Sequence, residues 1–290
     1  MGAALAKRLL DGGTDICVWN RTTTRPSIKT LVDQGAHLSS TVSEAVVASK
    51  IVIVCVLDYA SLDSILEGLE ADVLQGKTVI NLTNGTPSQA CEMSERLLRD
   101  YGAEAYFDGA IMTTPALIGT EASFLFCSGG TPESFDRKAV SLLKTFGRVD
   151  YLGPDPRAAS VNDLALLAGM YGMFDGTLTA IGLLLRAAPD PEEVTGKRVV
   201  TGTISTKLIP MLNALLPTLT TIAEQVENGD DAAGDHPNSM LLQGLRNIVS
   251  ACEEAGVDAG ASKHLLSVLE AVVAEGGGGS GIGLVGRRYF

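Results

Sequence analysis

Through its first half the chain alternates short, almost wholly apolar runs with stretches whose apolar residues recur at helical spacing. Ile51 to Leu57, IVIVCVL, has no charged position, the pattern of a parallel strand buried on both faces. Strands are likewise predicted at Asp15 to Trp19, Thr78 to Leu82, Ala105 to Ala110, Ala122 to Cys127 and Val149 to Leu152. Between them lie helices: Gly2 to Leu10, closed by Gly12 and Gly13, then Pro26 to Gln34, a short piece near Thr41 to Ala48, Ala60 to Glu70, Pro87 to Tyr101 and Thr131 to Phe146. This alternation predicts an α/β domain, a Rossmann-like doubly wound parallel sheet covered on both faces.

After Gly153 and Pro154 the strand pattern stops, so the expected division is a nucleotide-binding domain over 1–153 and an all-α domain over 154–290. Its first helix, within 157–187, carries only two charges, Asp163 and Asp175, between Asn162 and Leu185. At about 1.5 Å per residue that run could cross a bilayer. It is the only such run, its acids are costly in lipid, and no block of Lys or Arg flanks it. The expectation is therefore a helix covered by protein on every side, with Gly169, Gly172 and Gly176 favouring close helix crossing. Further helices are expected near Pro191 to Glu227, Ser239 to Glu254 and Ala259 to Ala274, and a flexible segment at Gly276 to Ser280.

Composition narrows the classes. A chain of 290 residues, 46% hydrophobic and 19% charged, has room for two globular domains. Its formal charge of -12 excludes a nucleic-acid partner, which needs clustered cations, and argues against an anionic membrane surface. Five scattered cysteines fit a reducing cytoplasm. His37, His236 and His264 offer no metal-ligand spacing and read as surface or cap residues.

In a dinucleotide-binding fold the first strand runs into G-x-G-x-x-G and a helix whose N-terminus meets the pyrophosphate. This chain opens with that helix, and Gly2 stands 18 residues ahead of Asn20, close to the spacing from the last fingerprint glycine to the ribose-reading position. The expectation is that the first strand and two glycines are missing and that Met1 is not the natural start. At the ribose position Asn20, Arg21, Thr22 and Arg25 supply neutral and cationic groups in place of an acid, a cradle for a 2′-phosphate. NADPH is favoured over NADH.

Four motifs taken together, WNRT (Trp19 to Thr22), INLTNGTP (Ile80 to Pro87), GAIM (Gly109 to Met112) and NDLALLAGMYG (Asn162 to Gly172), resemble the imine reductases, especially the fungal reductive aminase branch. That resemblance implies a 6-phosphogluconate dehydrogenase-like NADP domain and a helical domain completing the partner's active site in a domain-swapped homodimer. It implies catalytic roles for Asp163, Tyr171 and Asn84. It implies cofactor contacts from Gly2, Asn20, Arg21, Thr22, Arg25, Leu57 and Asn84, and substrate contacts from Met112, Thr113, Met211 and Met240. The substrate would be an imine, or a carbonyl plus an amine.

The chemistry suits those residue types. Hydride addition to C=N needs a cationic iminium, which a nearby carboxylate stabilises and whose proton it can handle. Asp163 and Tyr171 are eight residues apart, about 12 Å of helical rise and roughly 80° of rotation, so they can line one cleft without touching. Related β-hydroxyacid dehydrogenases place a lysine where Asp163 stands, which suits a developing oxyanion. That activity stays open as an alternative, as does a non-catalytic dimeric remnant that binds no dinucleotide. No role is evident for Arg157.

Overall fold

The computed structural model describes residues 1–187, 200–233 and 236–290. They form two compact units, Met1–Leu167 and Ala168–Phe290.

The first unit contains α1 (Gly2–Asp11), β1 (Cys17–Val18), α2 (Pro26–Asp33), β2 (His37–Leu38), α3 (Val42–Val47), β3 (Ile51–Val54), α4 (Tyr59–Leu66) and β4 (Thr78–Asn81). It continues with α5 (Pro87–Arg99), β5 (Ala105–Ile111), β6 (Phe124–Ser128), α6 (Pro132–Lys138), α7 (Val140–Leu143), β7 (Arg148–Tyr151) and the start of α8 (Arg157–Arg186). Five strands form one sheet in the order β3-β4-β5-β6-β7, while β1 and β2 form a separate parallel pair. Neighbours run parallel except β5 and β6, which are antiparallel. Between those two strands the chain carries only the 3₁₀ turn Pro115–Leu117. No crossover helix carries it back to the starting edge, as a parallel pairing would require.

Period-2 alternation divides the core. Tyr106 enters a cluster with Tyr59, Leu62, Met93 and Leu97 on one face of the sheet. Phe107 enters another with Leu5, Leu9, Phe135, Leu143 and Phe146, as successive strand residues must. All four residues of β4 are buried, whereas those of β3, the end strand of the five, are half-buried.

Several local expectations are corrected. The pair His37–Leu38 forms β2 although both residues are exposed, so no alternation marks it. The helix expected over Thr131 to Phe146 breaks at Ala139, where φ is -124°, with Phe135 and Leu143 on either side both buried.

Among the described residues, further helices are α9 (Ile209–Asn228), α10 (Asn238–Ala255), α11 (Gly260–Ala274) and α12 (Ile282–Gly286), with a π-helical turn at Ile204–Leu208 preceding α9. The part of the expected helix over 191–199 lies outside the described residues. Leu242, Leu269, Val272 and Val285 form the main core of this unit.

The covering expected around α8 is absent among the described residues. Only Ala159, Ser160 and Asp163 of its 30 residues are buried, and Leu166, Tyr171, Met173, Phe174, Leu178 and Leu185 are exposed. A Cβ added at Gly169, Gly172 or Gly176 would meet nothing within 4 Å, so no described element crosses α8 at these glycines. Gly182 does allow close approach, since a Cβ there would lie 2.9 Å from Val257.

The glycine-rich segment is packed, contrary to the flexible stretch expected. Gly277–Gly279 forms a 3₁₀ turn. A Cβ at Gly281 would fall 2.3 Å from the carbonyl oxygen of Ala232, so only glycine lets the two backbones pass. The buried Asn238 side chain donates to the carbonyls of Gly277 and Gly281 at 3.2 and 3.0 Å.

Candidate active site

Strand β4 delivers the site's first wall. Beyond Asn81 the chain passes the buried Thr83, whose Oγ1 accepts the Val56 N–H at 3.3 Å, and reaches the exposed Asn84. Gly85 is required by crowding rather than by an unusual φ: a Cβ there would lie 2.2 Å from the Tyr59 ring. Thr86 and Gln89 then form a reciprocal capping box at the start of α5, satisfying helix donors that would otherwise lack partners. The Asn84 side chain is thus carried on a loop fixed at both ends.

The second wall is the start of α8. Arg157, without a role in the sequence, donates through its backbone N–H and its guanidinium to the Asp155 carboxylate, at 3.0 and 2.8 Å. Ser128 on β6 accepts the Ala159 N–H at 3.0 Å and donates to the carbonyl of Pro156 at 3.1 Å. Six residues into the helix Asp163 is buried, and its Oδ2 accepts from Asn84 Nδ2 at 2.6 Å.

Burial pushes the Asp163 carboxyl above its usual range, with the Asn84 hydrogen bond acting in the opposite direction. Among the described residues, no cation is one of the groups that shift it. A buried carboxylate with so little compensation gains from a positive charge brought beside it.

The cofactor candidates gather in the same unit. Gly2 opens α1, whose first turn carries no side-chain cap and no acid, leaving donors and a positive dipole end for an anion. A Cβ at Gly2 would sit 3.5 Å from the carbonyl oxygen of Cys55. Asn20 Oδ1 accepts the Thr22 N–H at 3.0 Å, shaping the turn from which Arg21, Thr22 and Arg25 stand exposed. Arg21 and Trp19 line a cleft with Val42, Ser64, Ile65 and Gly68. Leu57, just past β3, is 84% exposed. These residues fit NADPH: open helix donors for a pyrophosphate, exposed cations at a helix start with no acid in its first turn for a 2′-phosphate, and an uncovered apolar side chain.

At the end of β5, Met112 and Thr113 are half-buried, and the Thr113 hydroxyl is buried without a hydrogen-bond partner. Tyr171, Met211 and Met240 belong to the second unit and are exposed. Tyr171 makes an edge-to-face contact with Phe174 at 6.1 Å. Of the candidates for chemistry, the fold therefore brings Asn84 and Asp163 into direct contact. All three histidines are exposed.

One group beside this pair went unread in the sequence. Asp108 on β5 is 2% exposed and collects donors from Tyr59, Tyr106, Asn81 and Ser160. Its sign in the sequence is a lone acid inside the apolar strand AYFDGAI.

A dinucleotide-binding α/β unit followed by helices, with a buried carboxylate on the joining helix, defines a class of nicotinamide-dependent oxidoreductase. Residues 1–153 match the family model for the NAD-binding domain of 6-phosphogluconate dehydrogenase, and residues 155–286 match that for the C-terminal domain of NADPH-dependent reductive aminase-like proteins. An NADPH-dependent reductive aminase from Aspergillus oryzae is 38% identical, the match spanning 100% of this chain and 94% of that protein. Among solved structures, a reductive aminase from Aspergillus terreus in complex with NADPH and ethyl-5-oxohexanoate is 36% identical, with TM-score 0.88 over 100% of this chain and 96% of that one. An imine reductase from Myxococcus stipitatus in complex with NADP+ is 30% identical, with TM-score 0.86 over 99% and 96%. The chain belongs to the NADPH-dependent reductive aminase family.

Proposed function

We propose that this protein is an NADPH-dependent imine reductase that also works as a reductive aminase, converting C=N bonds, or a carbonyl and an amine, into amines. The observation that carries the reading is the Asn84–Asp163 pair, 2.6 Å across, in which the carboxylate is buried and, among the described residues, no cation shifts it. NADPH, when bound, supplies a hydride. Gly2, Asn20, Arg21, Thr22, Arg25, Leu57 and Asn84 hold it, the two arginines selecting the 2′-phosphate.

Asp163 binds the amine nitrogen and stabilises the protonated iminium by its charge. Its raised affinity for a proton suits exchange with that nitrogen. Asn84 orients the carboxylate, leaving one oxygen free for the substrate. Tyr171 donates or positions a proton, and Met112, Thr113, Met211 and Met240 line the substrate's apolar part, the methionines adapting to different shapes. A β-hydroxyacid dehydrogenase reaction is disfavoured because a carboxylate opposes the oxyanion that such a substrate develops.

The working form is a homodimer in which the helical part over 154–290 completes the partner's site, the nucleotide part being 1–153. The exposed apolar side chains of α8 and α9 support this. The five cysteines are free, which suits a cytoplasmic setting.

The test follows NADPH oxidation with a cyclic imine. Asp163→Ala is expected to lower turnover about 100-fold or more, the usual scale of a proton-handling group, and Tyr171→Phe to lower it less. Undiminished turnover in both variants would reject the assignment. Failure of the wild-type chain to bind NADPH would favour the non-catalytic dimer.

A further inference from the structure

Around Asp108 the structure places more hydrogen-bonding than packing requires. Oδ1 accepts from the hydroxyls of Tyr59 and Tyr106, each at 3.0 Å, and from Asn81 Nδ2 at 3.3 Å. Asn81 Nδ2 also donates to Tyr59 and Tyr106, at 2.9 and 3.2 Å, so α4, β4 and β5 are tied into one polar knot. The other oxygen, Oδ2, accepts from Ser160 Oγ at 2.9 Å, and Ser160 belongs to α8. It precedes Asp163 by three residues, which puts the two on one face of that helix.

Ser128 sits directly opposite Asp108 in the β5–β6 register and holds the backbone of the same helical turn. Two adjacent strand residues therefore grip the first turn of α8, one by its backbone and one by a side chain. Asn81, at the other end of the knot, precedes Asn84 by three residues. Both partners of the short Asn84–Asp163 contact are thus referred to one buried carboxylate.

We propose that Asp108 is a positioning residue for the reaction, holding α8 through Ser160 so that Asp163 meets Asn84 and the amine at the right distance. This rests on the reading of Asp163 as the amine-binding carboxylate. The groups facing Asp108 are Tyr59 from α4, Asn81 from β4, Tyr106 from β5, Cys127 from β6 and Ser160 from α8. Burial raises the pKa of Tyr59, Tyr106 and Cys127 further, so all three stay neutral where carboxylates titrate. Burial also pushes Asp108 up to about 6, against the four hydrogen bonds. Below that pH its carboxyl carries a proton and loses an acceptor site, so the grip on Ser160 weakens on acidification.

The experiment compares wild type with Ser160→Ala, Ser160→Thr and Asp108→Asn, measuring kcat and KM for imine and NADPH across pH, with thermal melting as a folding check. Ser160→Ala removes the grip with little change in volume, so it stays informative if Asp108→Asn folds poorly. Expected is a roughly tenfold fall in kcat for Ser160→Ala, the scale of a small misplacement of a catalytic group, with KM for NADPH changed less than about twofold. The threonine variant should recover most of the loss. The acid limb near pH 6 in wild type should flatten in Ser160→Ala.

If Asp163→Ala is inactive while Ser160→Ala keeps the wild-type kcat and pH profile, the positioning role is wrong and the assignment of Asp163 stands. If Asp163→Ala keeps full activity, the functional reading fails first.

Discussion

Two buried aspartates 55 positions apart in the chain differ in how readily they are seen. Asp163 stands out as one of two charges between Asn162 and Leu185 of a long apolar helix, and its position within a family-like motif gives it a role. Asp108 is hidden because strand β5 reads as apolar and a single acid there does not break the pattern. Its meaning depends on Tyr59, Asn81 and Ser160, which are distant in sequence and converge only in the fold. Asp108 has a folded pKa above its unfolded one, so its contribution to stability is present below the ordinary carboxylate range and is lost as pH rises through about 6. Asp163 contributes in the same direction. Surface carboxylates held low by partners, such as Asp155 beside Arg157, contribute oppositely. The informative quantity is therefore a difference: on going from about pH 7.5 to about pH 5, Asp108→Asn should lose more melting temperature, or gain less, than wild type. Parallel pH dependences in the two proteins would show that the carboxyl is not desolvated as described.

At the level of elements, strands and helices with long periodic runs were legible, and the shortest were not. Strand β2 has two exposed residues and no alternation to read. The turn at Gly277–Gly279 has a composition suited to a linker, yet its backbone must pass close to Ala232 and Asn238, a constraint visible only in three dimensions. Helix α8 shows the opposite difficulty: its apolar character is plain, but no covering for most of it is found among the described residues. Exposed Leu178 on α8 and Met211, Leu215 and Leu219 on α9, the last three at helical spacing, mark the face assigned to a second copy. Leu178→Glu or Leu215→Glu should convert a dimer to monomer in sedimentation and lower imine reduction in parallel. Unchanged sedimentation of wild type as a monomer would remove the dimer from the proposal.

Across the whole molecule, the division of labour follows the change of periodicity near Pro154. A sheet-based part supplies the strands β4, β5 and β6, whose short polar side chains Asn81, Asp108 and Ser128 are buried. A helical part supplies long side chains on exposed faces. The antiparallel step between β5 and β6 was not legible, because strand sequences carry no record of direction. That step has a use nonetheless: it sets Ser128 beside Asp108, and so anchors the helix that links the two parts. A separate consequence attaches to the cleft at the end of β1. Its wall includes Trp19, the protein's single tryptophan, beside Arg21. The reduced nicotinamide ring absorbs where indole emits, so the molecule carries its own optical reporter. Excitation of Trp19 should show emission quenched as NADPH is added, with less quenching by NADH at the same concentration, and occupancy of the site can be watched without label, substrate or turnover.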